Sequence, residues 1–222
     1  MQVVAPSVVN GVASTIAVLV LLVEFAMLRA NLLRSQVRLY AVQSLIASLL
    51  AAFLGAVHQE VELFILAGLS IALKTIIVPL VILRLVRQSD TTVTGGGILK
   101  PAGAALIALG LAAFSFFAVG RSGLRLDGLS PTVLGSAVAI IAVAFVLMVI
   151  RTDVVSQAVG FFSLENGVSV ASLVVAAGMP LILEVAFLFD LLVAVVVFGV
   201  LMRVHHDQQD ALSTARLTDL RG

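Results

Sequence analysis

The chain has 222 residues, 61% of them hydrophobic and only 11% charged, with a formal net charge of +1. Its mean hydropathy is +1.22, and so little polar surface cannot coat a water-soluble fold, in which about 25% of residues are charged. The chain therefore reads as an integral membrane protein, and its lack of cysteine excludes disulfides, thiolate-held iron–sulfur clusters and Cys zinc sites.

Seven apolar stretches are expected to cross the bilayer, at about 7–29, 39–57, 62–86, 100–118, 132–150, 155–178 and 181–203. Each is long enough at about 20 residues per crossing. Each must be helical, because hydrocarbon offers the backbone no partner. A β-barrel would need alternating segments of about ten residues, which these continuous runs lack. The fold class is thus an all-α, polytopic transmembrane bundle.

In chain order, span one has no Lys or Arg before Arg29, so it lacks the basic start of a signal peptide and reads as a retained helix. Arg29, Arg34 and Arg38 are assigned to the loop that follows. His58, Glu60 and Glu62 form a short solvated loop between spans two and three. Pro79 lies inside span three, where its ring should clash with the carbonyl of Thr75 and kink the helix. Pro6, Pro101, Pro131 and Pro180 instead sit where spans begin, the position that tolerates proline best. The stretch Ser89–Gly97 is polar and Gly-rich; with no GxxxxGK[ST] motif it reads as a turn rather than a phosphate cradle.

Counting Lys and Arg in the loops gives the orientation. Arg29, Arg34, Arg38, Arg84, Arg87, Lys100, Arg151, Arg203, Arg216 and Arg221 fall on one side, and Arg121 and Arg125 on the other. The N-terminus is therefore expected outside and the C-terminus in the cytoplasm. His205-His206-Asp207 reads as a solvated helix end rather than a metal site, and 207–222 as a cytoplasmic tail.

The charges left inside the spans carry the functional reading. Lys74, Glu165 and Asp190 lie near the middle of spans three, six and seven; Glu24 lies toward the cytoplasmic end of span one, and Glu184 one turn into span seven. Each mid-bilayer charge costs about 2.5–3.5 kcal/mol on insertion scales, so these groups must face one another, water or a partner protein. Ser163, Asn166, Ser169 and Ser172 form a polar stripe around Glu165, read either as a hydrated proton path or as packing contacts. Lys74 is expected to pair with Asp190 or Glu165, or to exchange protons in the space opened by Pro79.

Spans one to three overlay spans five to seven with an offset of 116 residues, which sets Lys74 on Asp190 and Arg87 on Arg203. This divides the single membrane domain, 1–222, into a first three-helix unit (7–88), a linking helix (99–118) and a second three-helix unit (131–206). The repeat is parallel rather than inverted, unlike many transporters.

With these residues in hand, the chain resembles the hydrogenase-4 component E family, membrane subunits of formate hydrogenlyase-type and related group 4 hydrogenase complexes. The marks are Lys74-Thr75 with Pro79, the block Gly160-Phe-Phe-Ser-Leu-Glu-Asn-Gly167, and Glu184 followed by Asp190. The C-terminal half is also similar to the K subunit of respiratory complex I and the C subunit of Mrp-type antiporters. The closing Leu220-Arg-Gly222 matches the end of the K subunit. Glu165 matches the first of the K subunit's two membrane glutamates, and Asp190 stands at the second, one methylene shorter.

The resemblance implies a subunit with no redox centre or cofactor of its own. It would sit beside antiporter-like subunits and a quinone-binding-subunit-like protein in a bacterial or archaeal plasma membrane. A cytoplasmic hydrogenase-type redox arm would carry the nickel–iron centre and iron–sulfur clusters. Its buried charges would serve proton transfer, with no nucleic acid involved. The alternatives are a passive scaffold of such a complex, or a small stand-alone cation/proton transporter.

Overall fold

A computed structural model describes residues 5–88, 97–123 and 129–175, together with Val196, Val197, Gly199 and Val200. Its elements are α1 (Pro6–Arg29), α2 (Leu33–His58), α3 (Val61–Ser70), a π-helical segment (Ile71–Ile77), α4 (Val78–Gln88), α5 (Pro101–Arg121), α6 (Pro131–Ile150) and α7 (Val154–Val175). α3, the π segment and α4 run on as one rod. Among the described residues six helices are long and apolar enough to cross a membrane, the third being Val61–Arg84. They match the first six expected spans. Of the seventh, 181–203, all but Val196, Val197, Gly199 and Val200 lie outside the described residues, Glu184 and Asp190 included, as does Pro180 before it.

The prolines act as start signals where expected. Pro6, Pro101 and Pro131 each open a helix, a place where a missing N–H is no loss. Ser130 adds a side-chain cap to α6 by accepting from the Thr132 N–H at 3.2 Å. The disturbance expected at Pro79 takes the form of a π turn. The turn before the proline widens, and the Val78 N–H bonds the carbonyl of Leu73, five residues back. A π turn adds room in the backbone just where the pyrrolidine ring would press on the preceding turn.

α2 also begins earlier than expected, at Leu33 rather than near residue 39. Arg34 and Arg38 are therefore exposed residues of its first turns, not loop residues. Hydropathy marks only the part of a helix that lies in hydrocarbon, and a helix can continue into the headgroups. Glu62 likewise belongs to the first turn of α3, where a carboxylate is favourable to the helix dipole.

α1, α2, α6 and α7 make the centre of the bundle. α6 packs on α7, α5 and α1, while α2 packs on α1, α7 and the third-span rod. α5 is peripheral. It turns Ala104, Ala108, Ala112 and Ser115 inward and leaves Leu106, Phe114 and Phe117 exposed. Small residues inward and large ones outward is the membrane pattern, because lipid tails are as apolar as a protein core and only close packing distinguishes the two.

α6 and α7 approach closely. A Cβ at Gly160 would lie 2.7 Å from Met148 Cγ, and one at Gly167 would lie 2.8 Å from Ile141 Cγ1. The two glycines are seven residues apart, hence on one face. They bracket the block that carries the family resemblance, so part of its specificity is steric.

The Arg-rich end is tied by Arg151. Counted as a loop charge by sequence, it is buried, 6% exposed. Its Nη2 donates to the carbonyls of Leu28 at 3.0 Å and Ala30 at 2.7 Å, acceptors that the end of α1 leaves over. Burial pushes the Arg151 guanidinium below its ordinary pKa, and the nearby Asp153 carboxylate partly opposes that. Gln36 Nε2 donates to the same Ala30 carbonyl, and Ser156 Oγ donates to Gln36 Oε1 at 2.6 Å. Asp153 caps α7 by accepting from the Ser156 N–H at 2.7 Å. The Ile98 N–H donates to the Ile150 carbonyl at 2.8 Å, bringing the segment before α5 to the same end.

Candidate functional site: a buried polar track across α1, α2, α7 and the π segment

Glu24 is fully buried, five residues before the end of α1 and so about 7 Å from the Arg-rich end. Its Oε2 accepts from Gln43 Nε2 at 2.7 Å and closely from Ser163 Oγ. Its Oε1 has no hydrogen-bond partner among the described residues.

Gln43 is the hub of this cluster. Its Oε1 accepts from Asn166 Nδ2 at 3.0 Å and lies 2.9 Å from Ser163 Oγ, whose one hydroxyl proton is shared between Gln43 and Glu24. Asn166 Nδ2 donates in turn to Ser44 Oγ at 2.9 Å. Gln43, Ser44 and Ser163 are fully buried, and Asn166 is 1% exposed. Three helices thus meet through side chains alone, and the carboxyl group has two strong donors in a buried setting, where polar groups need partners.

The track continues along α2. Ser48 Oγ lies 2.8 Å from the Ser44 carbonyl and 2.9 Å from Ser70 Oγ, the last residue of α3. One turn later, in the π segment, stands Lys74, also fully buried. Lys74 Nζ donates to Ser169 Oγ at 2.9 Å, and Ser169 Oγ donates to the backbone carbonyl of Glu165 at 2.9 Å. Lys74 lies ten residues from Arg84 and Glu165 eleven from Val154, each about 15 Å into a hydrocarbon layer about 30 Å thick. Between the two halves, Ser48, Ser70, Asn166 and Ser169 surround a cavity of about 10 Å³.

The residues singled out by sequence are therefore placed as follows. Glu24, Ser163 and Asn166 share one cluster. Lys74 meets α7 at Ser169, one turn beyond Glu165, which is buried at 4% exposure. Ser172 turns its hydroxyl to the Ser169 carbonyl at 2.8 Å, so it serves its own helix. Pro79 follows the π turn that holds Lys74. Gln43, Ser44, Ser48 and Ser70 were not singled out by sequence. Their signal was periodicity: Gln36, Gln43, Ser44 and Ser48 all fall on one face of α2. Among the described residues no group of His, Asp and Glu could hold a metal ion.

No family model matches the chain, and no solved structure matches it. The uncharacterized protein Rv0085 of Mycobacterium tuberculosis is 30% identical over 171 residues, 76% of this chain and 77% of that protein. Hydrogenase-4 component E of Escherichia coli K12 is 24% identical over 212 residues, 95% of this chain and 98% of that protein. The protein of the same name from Shigella flexneri aligns to the same extent.

Proposed function

The chain belongs to the family of the mycobacterial protein Rv0085, and from that premise we propose that it is a membrane subunit of a hydrogenase-type redox complex. The observation that carries this reading is the end-to-end similarity to hydrogenase-4 component E, which covers 95% of the chain. Its seat would be the plasma membrane of a bacterium or archaeon. Antiporter-like subunits, a quinone-binding-subunit-like protein and a cytoplasmic redox arm of the formate hydrogenlyase type would be its partners. The nickel–iron and iron–sulfur centres would belong to those partners.

Within such a complex the chain's part is proton transfer and coupling through its buried ionisable groups. Glu24, Lys74 and Glu165 support this, because intramembrane ionisable groups are costly and typically mark ion or proton paths. The further candidates Glu184 and Asp190 extend the same reading. The Gln43 and Asn166 amides favour a second reading, a static scaffold, since amides hold geometry and do not carry protons readily. Glu165→Gln separates the two, for it keeps shape and loses the titratable proton. Proton translocation should fall at unchanged complex content in membranes carrying this variant. Normal translocation with normal content would leave the scaffold. Mild-detergent purification should recover hydrogenase-type subunits with the chain; a lone, proton-translocating subunit would instead favour a small cation/proton transporter.

A further inference from the structure

We propose that the cavity between Ser48, Ser70, Asn166 and Ser169 binds one ordered water, which joins Lys74 to the Glu24 cluster as a single hydrogen-bonded network. The inference deepens the proton-transfer reading and rests on it for its functional consequence only.

Three observations carry it. The first is size. The cavity measures about 10 Å³, at the lower limit of what one water needs, about 10–15 Å³, and too small for anything larger. The second is chemistry. A buried water is held by about two to four polar partners, and four polar side chains from three helices border this space, facing Ala47, Ala51, Leu66 and Leu173. An apolar cavity of this size would stay dry.

The third is position. On one side the Glu24 cluster ends at Ser44 and Asn166, with Ser48 and Ser70 adjoining through α2. On the other side Lys74 donates to Ser169. Ser169 and Asn166 are three residues apart on α7, hence neighbours on one face. A single water between them closes the gap.

The consequence is coupling rather than conduction along the whole track. A hydroxyl or a water reverses its donor direction at little cost, and linked hydrogen bonds polarise one another in a low-dielectric interior. A change of charge at Lys74 would then redirect Ser169, the water, and the Asn166 and Gln43 amides that set the donors to Glu24.

The test starts with the native assembly in lipid nanodiscs, imaged at a resolution that shows ordered water. One density within hydrogen-bond distance of at least two of the four side chains is expected; an empty cavity overturns the inference whatever the chain's function. The functional arm compares two variants in membranes, with translocation normalised to complex content. Ser70→Val fills the cavity and should lower proton translocation about tenfold, whereas Ser70→Ala leaves room for the water and should lower it about twofold. Equal effects would show that the Ser70 hydroxyl matters and the water does not, which also overturns the inference. If Ser70→Val prevents accumulation of the complex, the wild-type density decides. Failure of the proton-transfer reading looks different: the water density is present, while Glu165→Gln leaves translocation intact.

Discussion

Replacing Gln43 by leucine removes the hub of the buried cluster while keeping its volume. The substitution removes three polar contacts: a bond donated to Glu24 Oε2 at 2.7 Å, one accepted at Oε1 from Asn166 at 3.0 Å, and a share at 2.9 Å in the Ser163 hydroxyl proton, which Glu24 also takes. Side-chain hydrogen bonds inside membrane proteins average about 0.6 kcal/mol, with a maximum of about 1.7. Three of them give about 2 kcal/mol, with an upper bound of about 5. The larger figure suits this site better, because Glu24 is fully buried and an ionisable group deprived of a donor in a dry site is the costly case.

Reversible unfolding of the protein in bicelles, followed by a tryptophan introduced on α2 at Leu49, measures the loss directly. Leu49 is 50% exposed, on the outside of the bundle, so changes there should stay within about 0.5 kcal/mol. A second measurement separates the hub from its parts. If the bonds act as one network, Gln43→Leu combined with Ser163→Ala should cost clearly less than the two singles added together. A loss below about 0.5 kcal/mol for Gln43→Leu, or strict additivity with Ser163→Ala, would refute the network.

Gly167→Val should disturb α6–α7 packing by about 1–3 kcal/mol, because its Cβ would stand 2.8 Å from Ile141 Cγ1; unchanged thermal stability in detergent would contradict that close approach. Arg151→Gln should loosen the Arg-rich end by about 1.5–3 kcal/mol, seen as faster amide exchange at the α1–α2 connection, whose Leu28 and Ala30 carbonyls lose the guanidinium while Ala30 keeps Gln36; unaltered exchange there would count against the tie. Because the chain contains no cysteine, single cysteines report topology cleanly: an impermeant maleimide should label Glu60→Cys in intact cells, but Asn31→Cys and Ser213→Cys only after permeabilisation. Labelling of Asn31→Cys in intact cells would reverse the orientation, and labelling of Ser213→Cys would remove the odd number of spans. Lys74→Met should reduce complex content more than Glu165→Gln does, since it removes the bond that ties the π segment to α7 at Ser169; equal content in a membrane immunoblot would argue that Lys74 holds nothing together.

The helices were legible because lipid enforces them: length, apolar continuity and N-terminal proline leave one solution for the backbone. What periodicity and hydropathy missed has specific causes. The early start of α2 was hidden because Arg34 and Arg38 lower hydropathy without breaking a helix. The π turn was hidden because Pro79 announces a disturbance but not its form. Arg151 was counted as a loop charge, yet it is held by the carbonyls at the end of α1. Nothing in the local sequence around residue 151 names acceptors more than a hundred residues away.

The site was half legible for a different reason. Charges stand out inside a span because each one is expensive, so Glu24, Lys74 and Glu165 were singled out at once. Neutral polar residues cost little and serve packing as often as function, so Gln43, Ser44, Ser48 and Ser70 drew no notice. Yet the expense of the first set implies the second. A stripe of Ser163, Asn166 and Ser169 on α7 requires polar partners opposite, and among the described residues α2 supplies Gln43 and Ser44, α1 supplies Glu24 and the π segment supplies Lys74. The same reasoning ranks Glu24 above its place in the sequence. A carboxyl near a helix end can reach the headgroups and escape the penalty. Glu24 does not; it turns inward to Gln43 and Ser163, fully buried. A group that forgoes an easy route to solvent is held by its neighbours, and those neighbours are where the protein's specificity is to be sought.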